Sequence, residues 1–277
     1  MSLSMEQTTV PNLLSPRVVG RPRVITVASG KGGVGKTQIA VNLAASLSRL
    51  GQRVLLVDGD LGLANVNVLL GMSPDFNAGH LLDGSQPFHR VVSSFRGTFD
   101  LLPAGSALSH LAELDMSMQV RLMERLELYR RPYDVVLVDA CAGIGANVRL
   151  TLSMADEAIV VMNPETTSLT DAYALVKVAA KAGCTGPFNV VVNQVRLAEQ
   201  AREMFACLEA ASRSFLGLSV GYAGYVYRDR SVERSTREQV PFVESFPDSP
   251  AAKCVEALAK RISGLGEAKP HVAAAEH

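Results

Sequence analysis

The chain has 277 residues, 48% of them apolar, enough to bury the core of one large domain. Lysine plus arginine (27) equals aspartate plus glutamate (27), so net charge draws the protein neither to nucleic acid nor to an anionic bilayer. Four widely spaced cysteines (Cys141, Cys184, Cys207, Cys254) with no C-x-x-C pair argue against a disulfide framework or a zinc site and fit a reducing cytoplasm.

No apolar stretch approaches about 18 residues, and no basic segment leads into an apolar signal core, so a soluble protein is expected. Residues 1–20 are polar, contain Pro11 and Pro16, and show no periodicity; they read as a flexible lead-in to a domain spanning 21–263. Val24-Ile-Thr-Val-Ala28 is a β-branched apolar run. Ser29-Gly-Lys-Gly-Gly-Val-Gly-Lys-Thr37 follows it, and Ile39, Leu43, Leu47 and Leu50 then recur at helical spacing.

Strand, glycine loop and helix in that order satisfy G-x-x-x-x-G-K-[ST] from Gly30 to Thr37, the phosphate-binding loop. In such a loop Gly30, Gly32, Gly33, Val34 and Gly35 turn backbone N–H groups around a polyphosphate. The helix that opens at Lys36, Thr37 and Gln38 adds its positive end. Lys36 would neutralise the β and γ phosphates and Thr37 would ligate Mg²⁺. Gly30-x-Gly32-x-x-Gly35 also satisfies the dinucleotide fingerprint, with Asp58 near the position of a ribose-binding acid. Lys36 and Thr37 have no task in a nicotinamide site, however, whereas a magnesium triphosphate needs both. Lys31 is a second lysine, too early in the loop to replace Lys36.

Gly51 ends the first helix, and Arg53–Asp58 reads as a second buried strand. Further apolar runs at Phe99–Leu102, Asp134–Asp139, Ala158–Met162, Phe188–Asn193 and Leu218–Val226 alternate with helix-period segments, most clearly 106–130, 167–182, 197–215 and 248–263. This rhythm predicts an α/β fold, a largely parallel sheet with helices on both faces. Residues 264–277 are expected to form a disordered tail.

In open α/β sheets ligands sit at the carboxyl ends of strands, and three such ends carry polar residues. Asp58-Gly59-Asp60 could support hydrated magnesium and position an attacking water. Asp139 closes Val135–Val138 as a magnesium-holding carboxylate, and Gly143, in the following Ala140–Gly145 stretch, allows close approach to a γ-phosphate. Cys141 is either a thiol ligand or, more simply, a small buried filler. Asn193 ends the third run; its amide suits an adenine edge, and an ordinary loop asparagine fits equally well. Asn163-Pro-Glu165 is similarly placed. Arg228, Arg230, Arg234 and Arg237 form a basic stretch, but Asp229, Glu233 and Glu238 interleave with it, so a solvated helix face is expected and DNA is not indicated as a partner.

The loop Lys31-Gly-Gly-Val-Gly-Lys-Thr37 resembles the deviant Walker A motif of the MinD/ParA ATPases, P-loop NTPases of the SIMIBI type. Asp58-Gly-Asp-Leu-Gly-Leu-Ala-Asn65, Val66-Asn-Val-Leu-Leu-Gly71, Asp139–Gly145 and Pro164–Lys177 look most like the FlhG (FleN) group, which regulates flagellar number and placement. The resemblance implies ATP and Mg²⁺ as cofactors and a homodimer in the ATP state, Lys31 reaching the partner subunit's phosphates. It also implies Lys36 and Thr37 in the usual loop roles, Asp60 as the water-activating acid, and Thr37, Asp58 and Asp139 around the metal. Implied partners are an FlhF-type GTPase, flagellar switch components and a flagellar transcription activator, with work in the cytoplasm, peripheral to the inner membrane or at a cell pole. Pro270–His277 offers no large apolar face for membrane insertion. ParA-like partition ATPases and iron–sulfur relatives of the fold are the competing classes.

Overall fold

A computed structural model describes residues 22–60, 65–105, 121, 124, 125, 132–184 and 186–264. Eight strands form one sheet: β1 (Arg23–Ser29), β2 (Val54–Asp58), β3 (Ser93–Phe95), β4 (Phe99–Leu102), β5 (Val135–Ala142), β6 (Glu157–Met162), β7 (Phe188–Val195) and β8 (Gly221–Tyr227). Their order across the sheet is β3-β4-β2-β5-β1-β6-β7-β8. Every neighbouring pair is parallel except the antiparallel β3–β4 hairpin at one edge.

The interior strands β2 and β6 are buried along their whole length and apolar but for Asp58 and Glu157, because both of their faces are covered. In β1, Ile25 and Val27 point to the layer built from helices Lys36–Arg49 and Pro250–Ile262, where Ile39, Leu43, Leu47, Val255 and Leu258 meet them. Ala28, Val160, Met162, Val190 and Val192 face the opposite layer, formed by helices Thr166–Lys181 and Ala198–Leu216. Under β2 and β4, Leu55, Val57 and Leu102 pack on short helices Ala78–Leu82 and Phe88–Val91. The period of two along each strand thus divides one continuous apolar run between two cores.

The expected strands at 24–28, 53–58, 99–102, 134–139, 158–162 and 188–193 all lie in this sheet, and the expected 218–226 run is the strand Gly221–Tyr227. The helices read at 167–182, 197–215 and 248–263 are Thr166–Lys181, Ala198–Leu216 and Pro250–Ile262. The 106–130 segment apart from residues 121, 124 and 125, the 1–20 lead-in and almost all of the 264–277 tail lie outside the described residues. The sequence reading missed β3: its three residues are too few to show alternation, and it turns back through Arg96 and Gly97, both at positive φ.

Parallel strands place all their carboxyl ends along one rim of the sheet. β1 is central, so the loop it feeds lies between the ends of β5 and β2 on one side and those of β6 and β7 on the other.

Candidate nucleotide-binding site

The loop leaves β1 at Ser29, whose Oγ donates to the Lys31 carbonyl at 2.9 Å. Gly33 (φ 80°) and Gly35 (φ 87°) adopt the left-handed conformation that lets successive N–H groups converge on one side. A Cβ on Gly30 would strike the backbone of Asp171, where helix Thr166–Lys181 crosses the loop. Val34 is buried in the core and anchors the loop from below. Helix Lys36–Arg49 starts at Gly35 with no side-chain cap and no acidic residue in its first turn, leaving its N-terminal N–H groups and dipole for an anion. Gln38, expected among the nucleotide contacts, turns its side chain away: Nε2 donates to Thr236 Oγ1 at 2.8 Å, and Oε1 accepts from Asn42.

Lys36, only 10% exposed, holds its Nζ 2.6 Å from Oδ1 of Asp139, which is 1% exposed. The Thr37 side chain, next along the helix, acts with Lys36 to lower the Asp139 carboxyl. Asp58, at the end of β2, is the register partner of Asp139, within β5, so two buried carboxylates stand side by side. Burial, followed by the Asp139 charge, pushes the Asp58 carboxyl up to about 7, although its oxygens accept from Asp60 N and Val66 N, both at 3.1 Å. Burial also raises Asp139, against the lowering effect of Lys36. Two desolvated acids, of which only Asp139 has a lysine, form a site short of positive charge, which fits a divalent cation beside Thr37. Among the described residues no three His, Cys, Asp or Glu side chains close into a metal cage, so such a cation would depend on waters and phosphate oxygens for its other ligands.

Asp60 is half-buried at the mouth of this pair. Gly59 donates its N–H to the Asp139 carbonyl at 2.9 Å, and a Cβ there would press on that same oxygen, so the turn is closely packed on β5. Cys141 donates its thiol to the Gly59 carbonyl at 3.3 Å; burial, then Asp60, pushes the thiol upward and keeps it protonated, as the filler reading expects. Gly143, predicted to face a phosphate, spends its N–H on the Ser29 carbonyl at 2.9 Å. It lies in the turn, at φ 97°, that follows β5, and this bond ties the turn to the end of β1.

Lys31 sits on the outer rim, 28% exposed. Its Nζ lies 2.7 Å from Glu165 Oε2 and 3.1 Å from Thr167 Oγ1. Glu165 is 58% exposed, and Lys31 holds its carboxyl below the usual range. At the end of β7, Asn193 is buried with Nδ2 on the Val34 carbonyl at 2.8 Å and Oδ1 accepting from Gln194 N at 2.9 Å. Half of the amide's hydrogen-bonding capacity is therefore used within the chain before any base arrives. Sequence reasoning passed over Thr167, Asp171 and Gln194. Thr167 is one polar residue among several at a helix start, Asp171 acts through its backbone, and Gln194 matters through a positive φ that its residue type does not announce.

Once the site is assembled, comparison with known proteins places it. The AAA domain family model (AAA_31) matches residues 22–185. The chain is 36% identical over 240 residues to the antiactivator FleN of Pseudomonas aeruginosa, covering 87% of this chain and 86% of that protein. It is 28% identical over 241 residues to the flagellum site-determining protein YlxH of Helicobacter pylori, covering 87% and 81%. The septum site-determining protein MinD of Pyrococcus horikoshii OT3, solved with Mg-ADP, superposes with a TM-score of 0.74 at 27% identity, over 88% of this chain and 97% of that one. With Lys36 buried on the Asp139 carboxylate, these likenesses resolve the glycine pattern as a triphosphate loop rather than a dinucleotide turn. The chain belongs to the MinD/ParA family of P-loop ATPases, and within it is most like the FlhG (FleN) group.

Proposed function

We propose that this protein is an Mg-ATP-dependent dimerisation switch that hydrolyses ATP slowly and regulates flagellar number or placement. The observation that carries the reading is the division of labour between two lysines. Lys36 is buried on Asp139 inside the site, whereas Lys31 lies on the rim, held by a solvent-exposed carboxylate from which it can swing outward. A rim lysine adds nothing that Lys36 does not already supply to its own nucleotide, but it can complete the site of a second copy facing it.

In this scheme the loop N–H groups and Lys36 bind the phosphates, Thr37 with Asp58 and Asp139 holds magnesium, and Asp60 orients the attacking water. Bound magnesium would supply charge neutralisation between the phosphates. Turnover is slow because each site lacks Lys31 until two subunits meet. FleN and YlxH, antiactivator and flagellum site-determining protein by name, support the flagellar assignment. An FlhF-type GTPase, flagellar switch components and a transcription activator are the proposed partners, in the cytoplasm or at a cell pole. No described helix is long and apolar enough to cross a membrane. The ParA-like DNA-coating alternative has less support, since Arg234 is turned onto the Phe246 ring, 4.5 Å from its centroid, and Glu233 and Glu238 interrupt the remaining arginines.

The test is ATP turnover per protomer against protein concentration. The reading expects a rate that climbs with concentration in the wild type and stays flat in Lys31→Ala, while Asp60→Ala binds ATP and dimerises without turning it over. A concentration-independent wild-type rate would show a site complete in one chain and overturn the switch.

A further inference from the structure

Resting on the reading of Asp60 as the acid that orients the attacking water, we propose that Cys141 is a positioning residue for ATP hydrolysis, acting through the Gly59 peptide to hold Asp60 against β5. Gly59 lies between Asp58 and Asp60, so whatever fixes its backbone aims both carboxylates. Both of its polar backbone groups are tied to β5. The N–H donates to the Asp139 carbonyl at 2.9 Å, and the carbonyl accepts from the Cys141 thiol, whose Sγ is 3.3 Å away.

The first bond continues the parallel ladder by one rung beyond the register pair Asp58 and Asp139. The second comes from a side chain. A carbonyl can only accept, so the sulfur is the donor, and it stands two places beyond Asp139 on the same strand. One peptide is thus gripped at two points of β5. An apolar filler of the same size would occupy the place of Cys141 without making the second bond.

Glycine is what lets the turn come this close. A Cβ at position 59 would stand 2.9 Å from the Asp139 carbonyl oxygen, 3.3 Å from Val138 Cγ1 and 3.5 Å from Ala140 Cα, so a larger residue must lift the turn off β5 and stretch the thiol contact. The turn has a third tie, Asp60 N donating to Asp58 Oδ1 at 3.1 Å, but that carboxylate is the one assigned to magnesium. Metal binding competes with the third tie, whereas the two bonds to Gly59 use only backbone groups and a thiol.

The experiment measures kcat and KM for Mg-ATP at a protein concentration that saturates turnover, with Mg-ADP affinity and thermal unfolding recorded alongside, for the wild type, Cys141→Ala, Cys141→Val, Cys141→Ser, Gly59→Ala and Asp60→Ala. Cys141→Ala and Cys141→Val should lower kcat about two- to fivefold, the loss that one weak hydrogen bond sustains, and leave KM and Mg-ADP affinity unchanged. Cys141→Ser keeps a donor and should recover most of the rate. Gly59→Ala should lower kcat at least as far, and combining it with Cys141→Ala should cost less than the product of the two losses, because both act on one peptide.

A wild-type kcat in Cys141→Ala would overturn the proposal. Recovery by Val but not by Ser would do the same, leaving Cys141 a filler, as would a parallel loss of Mg-ADP affinity, the mark of a site distorted as a whole. Full turnover by Asp60→Ala would overturn the reading of Asp60 itself, and this proposal with it.

Discussion

Asp58 is the residue on which burial and charge act most visibly. Its carboxyl titrates at about 7 in the folded chain against an ordinary 3.8, so between those values the folded protein holds a proton that the unfolded chain has released. A raised folded value contributes stability that is fully present below 3.8 and is lost as pH climbs through about 7. The protein free of nucleotide and metal should therefore lose a few kcal/mol from this group, at up to about 1.4 kcal/mol per pH unit. Urea melts of the wild type and Asp58→Asn between pH 5 and pH 8 check it: the substitution should flatten the slope and leave the variant relatively more stable at pH 8, and parallel curves would remove Asp58 as the cause. Lys31 offers a second prediction at this scale. Its contact with Glu165 must break before it can reach a second subunit, so Glu165→Ala should lower the protein concentration needed for ATP-dependent dimerisation. The change should be no more than a few-fold, because exposed ion pairs are weak. A higher dimerisation threshold in that variant would mean that Glu165 assists the dimer instead.

Elements were legible where they were long and uniformly apolar. Val54–Asp58 and Glu157–Met162 are buried at every position, so an unbroken apolar run announces a strand covered on both faces, and the ligand-bearing residue is simply the polar one that ends it. Ser93–Phe95 and the turn Phe242–Ser245 gave no such signal. The latter is held by a tertiary bond, Val243 N donating to buried Asn42 at 3.1 Å, and no local pattern records it. Helix Arg230–Glu238 is almost wholly polar and depends on its ends: Asp229 Oδ1 accepts from Ser231 N at 2.8 Å, and Oδ2 accepts from Ala251 N at 3.2 Å. One side chain thereby caps that helix and ties it to Pro250–Ile262. Asp229→Ala should cost about 1–2 kcal/mol, seen as a lower denaturation midpoint, with Asp229→Asn restoring part of it. Burial opposes ionisation here, but the two backbone hydrogen bonds win and the carboxyl sits below its ordinary value. That stabilisation is present above the ordinary carboxylate range and disappears as pH falls through the depressed value, so the variant and the wild type should converge in acid.

At the scale of the whole molecule, the strand order makes the site. Residues 30–37, 58–60, 139 and 193 are far apart in sequence, and the parallel sheet delivers them to one rim because β1 lies between β5 and β6. The residues that gather at this rim could be picked out in advance, since they lie in the glycine loop or, like Asp58, Asp139 and Asn193, end an apolar run. Their partners could not: that Asn193 turns toward Val34, that Gln38 turns toward Thr236 and that Lys31 rests on Glu165 follow from side-chain directions that only the folded chain fixes. The two lysines of one loop, one inward and one on the rim, are the structural basis on which the switch is proposed. Sedimentation of the purified protein with Mg-ADP and with a non-hydrolysable ATP analogue plus Mg²⁺ tests that account most directly. A monomer with ADP and a dimer with the analogue, the dimer lost in Lys31→Ala, is the predicted result; the same mass in both nucleotide states would contradict it.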